Sequence, residues 1–455
     1  MKSLFLSLLL YSFCYVAQGQ QISLMAVEDA TKDIDHLLAK FEAIHYNPYF
    51  LITKEQLTQT KDSLTADWGK DSITLKEFMV VGMKLSALLS GGHSYMDWKA
   101  PNIIAAIKAH QYLPFTGELR NNYQTFIVTR SKDTTIPAGT ILESINGIPM
   151  VELYQECMSF IGGIKAFKNA SCEEMFPLYL FFIKELKAPY HIVATNKDKA
   201  FSIDGVEIEA FLTFINEVPY QVPYTFEIIN GKVGLLTYNR CENYKKFKRF
   251  LRKTFRKIQA QKINQLIIDI RENGGGNSSL NDLLLSYLTT RPYQQSSGRY
   301  WKVSQEAKAL YSANEIYQEL FGAAFMKEYT EAANGTVIPS LGEELTHPVA
   351  PKHFFSGKHC FLIGPSTFSS ANFLADAVKT YKISTLIGTA TGEYTNDFGE
   401  QIYFTLPNSG CKVYVSSTYD IGANGDDSTL TPVEPDLVVP SNVLPAAIEW
   451  LEQQK

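Results

Sequence analysis

The sequence is poor in the features that mark several large protein classes. Its six cysteines are widely spaced among 455 residues and form no C-x-x-C pair, so neither a disulfide framework nor a thiolate zinc site is indicated. Setting Cys14 aside, the remaining five (Cys157, Cys172, Cys241, Cys360 and Cys411) are odd in number, and at most two bridges could form. The eight histidines show no H-E-x-x-H or comparable spacing, and no metal or other cofactor is expected. After the first residues no apolar run approaches the roughly 18 that a membrane-spanning helix needs. A net charge of −5 gives no general attraction to nucleic acid or to an anionic membrane, and neither is expected as a partner. What remains is the composition of a globular chain, 45% hydrophobic and 20% charged, with 25 Tyr and 28 Phe. Its length suggests roughly two to four domains.

Residues 1–19 differ from everything after them. Lys2 supplies a positive start, Leu4 to Val16 an apolar stretch, and Ala17-Gln18-Gly19 a small-x-small cleavage site. A secretory signal peptide is expected, which would deliver the mature chain to a periplasm or to the outside of the cell. Ser12-Phe13 is a poor lead-in to a lipid anchor at Cys14.

The periodicity then divides the chain. Ile34, Leu37, Leu38, Phe41 and Ile44 recur at helical spacing, as do Phe78, Val81, Met83, Leu85, Leu88 and Leu89, so 20–110 reads as a helical domain. Gly91-Gly92 should end the second helix and leave His93 just beyond it. Alone, a histidine on a loop after a helix is usually an ordinary surface residue, and it becomes informative only with a positioned partner. From 111 to 225 short strands dominate. Thr125 to Thr129 alternates, and Ile141 to Gly147 is a strand closed by an Asn-Gly turn, with a helix from about Met150. Proline-glycine, strand, Ile-Asn-Gly and helix resemble the peptide-binding module called PDZ, and 165–225 reads as an elaboration of it. From 226 to 455 strands and helices alternate, predicting an α/β core with mostly parallel strands. Its helix from about 241 to 260 carries a basic face that reads as solvated surface.

Two turns of this core carry chemistry. Leu266 to Arg271 is a buried strand followed by Glu272-Asn273-Gly274-Gly275-Gly276, whose glycine N–H groups can line a concavity and hold negative charge. The Gly-Lys-Ser/Thr ending of a phosphate loop is missing. Phe361-Leu362-Ile363 is a second buried strand, closed by Gly364-Pro365 and followed by Ser369-Ser370 at the start of an amphipathic helix. A serine there either caps the helix or acts as a nucleophile beside free N–H groups that would stabilise an oxyanion. As successive βα loops of one parallel sheet, the two turns would open on the same end and face each other.

These motifs resemble peptidase family S41, the C-terminal processing and tricorn-core proteases. The resemblance rests on Ile267 to Gly276, Ser366 to Ala371, Leu386-Ile387-Gly388 with Thr391-Gly392, Leu406 to Ser409 and Val433 to Asp436. It extends to Ile145-Asn146-Gly147, to His45 to Tyr49, and to Gly91-Gly92-His93-Ser94, which is similar to the family's Asp-Gly-His-Thr. It implies an α/β multidomain fold with an N-terminal helical domain, a PDZ-like β module and a ClpP/crotonase-like βαβ catalytic core. By position it makes Ser369 the nucleophile, and Ser370 with Gly275 or Gly276 the oxyanion hole. One branch of the family uses a lysine downstream of the serine. Thr389 to Gly399 contains none, and Glu393 stands near that place. The other branch uses a histidine, which His93 matches as general base. The acid that orients it is left open among Asp426, Asp427, Glu434 and Glu393. Gly91 and Asn372 depart from the usual Asp and Glu of the family's motifs. The implied protein is an exported serine endopeptidase acting on proteins or peptides, and its oligomeric state is not indicated. The alternative is a catalytically silent relative that binds peptides or apolar ligands.

Overall fold

A computed structural model describes residues 23–69, 71–183, 186–195, 200–217, 222–342 and 344–453. The leader expected at 1–19, with Cys14, lies outside the described residues. The five cysteines after it are buried and free, and no helix among the described residues is long and apolar enough to cross a membrane.

The α/β core is a six-stranded sheet in the order Tyr224–Ile229, Val233–Tyr238, Gln265–Asp269, Lys358–Ile363, Thr385–Gly388 and Leu437–Val438. Its first pair is an antiparallel hairpin and every later pair is parallel. Successive side chains of a strand leave on opposite faces, so near-continuous apolar runs require cover on both. Leu266 and Ile268 pack with Phe361 and Ile363 under the helices Tyr244–Ala260, Ser279–Leu285 and Ser370–Thr380. Ile267 points the other way, with Cys360, Leu362 and Ile387, against the helix Val443–Gln453. The basic residues of Tyr244–Ala260 are exposed, as the sequence indicates, while Phe247, Leu251, Phe255 and Ile258 are buried.

A second sheet runs Val337–Leu341, Gly298–Lys302, Lys412–Ile421 and Asp397–Thr405, with the two-residue strand Tyr95–Met96 added beside Lys412–Ile421. The N-terminal helices Val27–Ile44 and Leu75–Ala87 pack on this sheet, so the helical region expected at 20–110 shares one core with residues of the catalytic half, among them Trp301, Ile402 and Val413. Buried Asp33 fastens the two: its carboxylate accepts the N–H groups of Asn408 at 3.1 Å and Ser409 at 2.7 Å.

The third sheet, Phe115–Arg120, Thr125–Ser131, Ile141–Ile145, Tyr190–Ala194 and Phe201–Ile203, closes around the helices Met150–Met158 and Lys165–Leu180. Phe115–Arg120 is an edge strand, and the second helix covers it. Asn169 accepts the N–H of Leu119 through Oδ1 at 3.1 Å and donates from Nδ2 to the Leu119 carbonyl at 3.2 Å, as a neighbouring strand would.

Candidate active site

The two turns meet at the carboxyl ends of adjacent parallel strands, where Asp269 stands in register with Leu362. The carboxylate of Asp269 grips Arg271 through its backbone N–H, Nε and Nη2, which sets the start of the glycine turn. Three hydrogen bonds then stitch the turns together. Phe368 N–H donates to the Asn273 carbonyl at 3.0 Å, Ser370 Oγ donates to the Gly276 carbonyl at 2.6 Å, and Asn281 Nδ2 donates to the Ser370 carbonyl at 2.7 Å. Gly275 must be glycine on two counts. Its φ is +92°, and a Cβ there would lie 2.6 Å from the Cβ of Ser369 and 2.9 Å from the N of Ser370.

Ser369 occupies the N-cap position of Ser370–Thr380 with φ +55° and ψ −127°, a conformation that costs a non-glycine residue energy. Its side chain makes no capping bond, so the cap reading of this serine does not hold. The Ser370 hydroxyl is committed to Gly276. The backbone N–H of Ser370, first in its helix, has no intrahelical acceptor. Of the glycine donors, Gly275 N–H is taken by Asn273 Oδ1 at 2.9 Å. The bridge to Cys241 uses the Gly275 carbonyl and the Asn277 N–H and leaves the Gly276 N–H out.

His93 arrives from the N-terminal part of the chain in the turn just before the strand Tyr95–Met96. Ser94 Oγ accepts the Ser416 N–H at 3.0 Å, and the His93 carbonyl accepts from Gln401 Nε2 at 2.7 Å. The imidazole lies over the ring of Phe368, the residue before Ser369, with centroids 4.6 Å apart. Glu393, 4% exposed, joins the two. Its Oε2 accepts the backbone N–H of Ser369 at 2.6 Å, and its Oε1 stands 3.1 Å from His93 Nδ1. That second contact lies off the hydrogen-bond axis, and Nδ1 has no aligned acceptor.

Of the four acids left open by the sequence, the structure brings only Glu393 to the histidine. Asp427 and Glu434 are exposed, and Asp426 spends its carboxylate on the N–H and hydroxyl of Ser428 in its own turn. Sequence reasoning missed Asp397, which is buried behind the site. Its carboxylate accepts the Phe398 N–H at 2.7 Å, and a Cβ on Gly91 would lie 3.0 Å from its Oδ1, so Asp397 fills the space a side chain at 91 would need. Burial first, and the neighbouring Glu393 charge second, raise the Asp397 carboxyl well above the usual range. Nothing in its strand pattern marked it. Asn372, the other departure, is buried and donates to the Tyr394 carbonyl at 2.7 Å, tying the nucleophile helix to the Glu393 loop. A mainly apolar cavity of about 160 Å³ opens beside this cluster, lined by Met96, Trp98, Phe160, Phe167, Met175 and Phe368 among others.

Fold and site therefore define a mixed α/β multidomain protein in which a strained serine, a histidine and a buried carboxylate converge beside two backbone turns. Residues 232–439, a little under half of the chain, match the model of peptidase family S41. Its fold is similar to that of mature CPAF, with TM-score 0.64 and 16% identity over 94% of this chain and 96% of that one. It is also similar to a mutant form of CPAF, with TM-score 0.69, 16% identity and the same coverage. A curated protein, the Mu-like prophage FluMu protein gp47 of Haemophilus influenzae, is 38% identical over 84 residues. The match spans 16% of this chain and about a quarter of that protein's length.

Proposed function

We propose that the protein is an exported serine endopeptidase that hydrolyses peptide bonds through an acyl-enzyme on Ser369. The observation that carries this reading is the single carboxylate of Glu393 touching both the His93 imidazole and the Ser369 backbone. In the reading, His93 Nε2 takes the Ser369 hydroxyl proton as Oγ attacks the scissile carbonyl, and the proton then goes to the leaving amine as the C–N bond breaks. Water, deprotonated by the same nitrogen, attacks the ester, releases the carboxylate product and restores the serine. The Ser370 N–H and a glycine-turn N–H receive the oxyanion, each well-placed donor lowering the barrier by about 3 kcal/mol. Gly276 supplies the glycine donor more directly than Gly275, whose N–H is held by Asn273. The apolar cavity beside Phe368 would take an apolar substrate side chain.

The central sheet is read as the ClpP/crotonase-like core and residues 111–225 as the PDZ-like module. Since Asn169 already pairs with the Leu119 edge, that module would not take a peptide on Phe115–Arg120 without displacing its own helix.

Labelling with a fluorophosphonate probe tests the mechanism. The intact protein should label and degrade an unfolded protein, whereas Ser369→Ala should not label and His93→Ala should label far more slowly. No label on the intact protein, beside a reactive control enzyme, would favour the silent-relative reading. Label persisting in Ser369→Ala would move the nucleophile to Ser370 or Ser366.

A further inference from the structure

One side chain outside the Ser, His and Glu set touches the residue preceding each of them. The ring of Phe167, in the first turn of Lys165–Leu180, stacks on Phe368 with centroids 4.3 Å apart and planes 17° apart. A Cβ on Gly92 would lie 2.6 Å from its Cε1, and one on Gly392 would lie 3.1 Å from its Cδ2. Phe368 precedes Ser369, Gly92 precedes His93 and Gly392 precedes Glu393. The slot is completed by Gly163, whose Cβ would stand 3.1 Å from the ring's Cδ1. At Gly92 the requirement for glycine comes from this ring together with that of Phe368, whereas at Gly392 it comes first from the Pro365 carbonyl oxygen, 2.1 Å from where a Cβ would stand, with the Phe167 ring packed behind it. Phe368 in turn carries the His93 imidazole on its face.

We propose that Phe167 is a positioning residue that sets the mutual spacing of Ser369, His93 and Glu393. The inference rests on the reading of these three as the catalytic set. The helix that carries the ring is pinned two residues later: Asn169 holds both backbone groups of Leu119, and the Asn169 carbonyl accepts the Tyr154 hydroxyl at 2.9 Å. Residues 111–225 thereby act on catalysis as a fixed brace. Displacement of a reacting group by about 1 Å can cost on the order of a hundredfold in rate, and a close-packed ring between three loops is a spacer of that precision.

The test compares fluorophosphonate labelling rates per folded molecule, with thermal unfolding midpoints, for the intact protein and three variants. Phe167→Leu keeps apolar bulk and loses the stack, and its labelling rate should fall about tenfold to a hundredfold. Phe167→Tyr keeps the ring and should restore most of the rate. Phe176→Leu, on the same helix but packed on Phe126 and Tyr154, should lower the midpoint and leave the rate unchanged. Wild-type labelling in Phe167→Leu, or an equal rate loss in Phe176→Leu, overturns the proposal. If the intact protein takes no label, the assignment of Ser369 as nucleophile fails and this inference falls with it.

Discussion

Replacing Glu393 by glutamine removes a charge while keeping shape, and the geometry shows why the amide cannot serve both neighbours. The carboxylate offers an oxygen to each of two groups, Oε2 to the Ser369 N–H and Oε1 to His93 Nδ1. A glutamine has one acceptor oxygen. If that oxygen stays on Ser369, the NH2 faces Nδ1 and donates to it, which forces the imidazole proton onto Nε2 and leaves no lone pair for the serine. If the amide flips, its NH2 meets the Ser369 N–H, and a buried donor is left unsatisfied at a cost of about 1–3 kcal/mol. The tautomer defect dominates: the equivalent change in a Ser-His-Asp triad lowers kcat by about 10⁴, or about 5.5 kcal/mol. Because the Glu393 contact to Nδ1 is off axis, the expected loss for Glu393→Gln is about 10³-fold to 10⁴-fold in kcat, with KM little changed. Steady-state hydrolysis of a fluorogenic peptide measures it, with Asp427→Asn and Glu434→Gln as exposed controls near wild type. Activity of Glu393→Gln within about tenfold of wild type, with a collapse in either control, would refute the choice of acid.

Two further perturbations probe the scaffold. Gly275→Ala forces a side chain against Ser369, so labelling should fall by more than about a hundredfold and stability by about 1–3 kcal/mol. Gly139→Ala shares the positive φ, +90° against +92°, but meets nothing within 4 Å, and should lose only about 1 kcal/mol and no activity. Equal effects in the two alanine variants, read by urea unfolding and labelling, would mean that backbone strain and not contact matters at Gly275. His45 is fully buried, and burial first among the causes depresses its pKa to about 3. The unfolded chain binds this proton near pH 6.5, so the stability that neutral His45 contributes is complete above that pH and is lost as pH falls toward 3. Between pH 7.5 and 4.5 the stability gap between wild type and His45→Asn should narrow by about 2–3 kcal/mol, and a constant gap would contradict the assignment.

The parallel core and the facing of its two turns are legible because each turn follows a short apolar strand buried on both sides and contains glycine. Ser369 and Ser370 share the same helix start, and it is the resemblance to family S41 that sets Ser369 apart. The strand that anchors the His93 turn could not be read: Tyr95–Met96 is two residues long, and its partners Val413 and Tyr414 are remote in sequence. Four acids stood open because spacing along the chain contains no depth, and burial is what separates Glu393 from Asp427 and Glu434. The helix Lys165–Leu180 escaped notice because it contains Pro177 and is flanked by apolar residues on several faces, with Phe167, Cys172, Phe176 and Leu178 all buried. Asp33 was unreadable as a fastener, since a carboxylate in a helical pattern looks like solvated surface until Asn408 and Ser409 come to meet it.

The short strand Tyr95–Met96 also gives the site a schedule. Its partner strand, Lys412–Ile421, follows Ser369 in the chain, so a growing polypeptide holds histidine, glycine turn and serine well before it holds the surface that brings the histidine in. Until that late strand is made and folded, the parts of the site are present but unassembled.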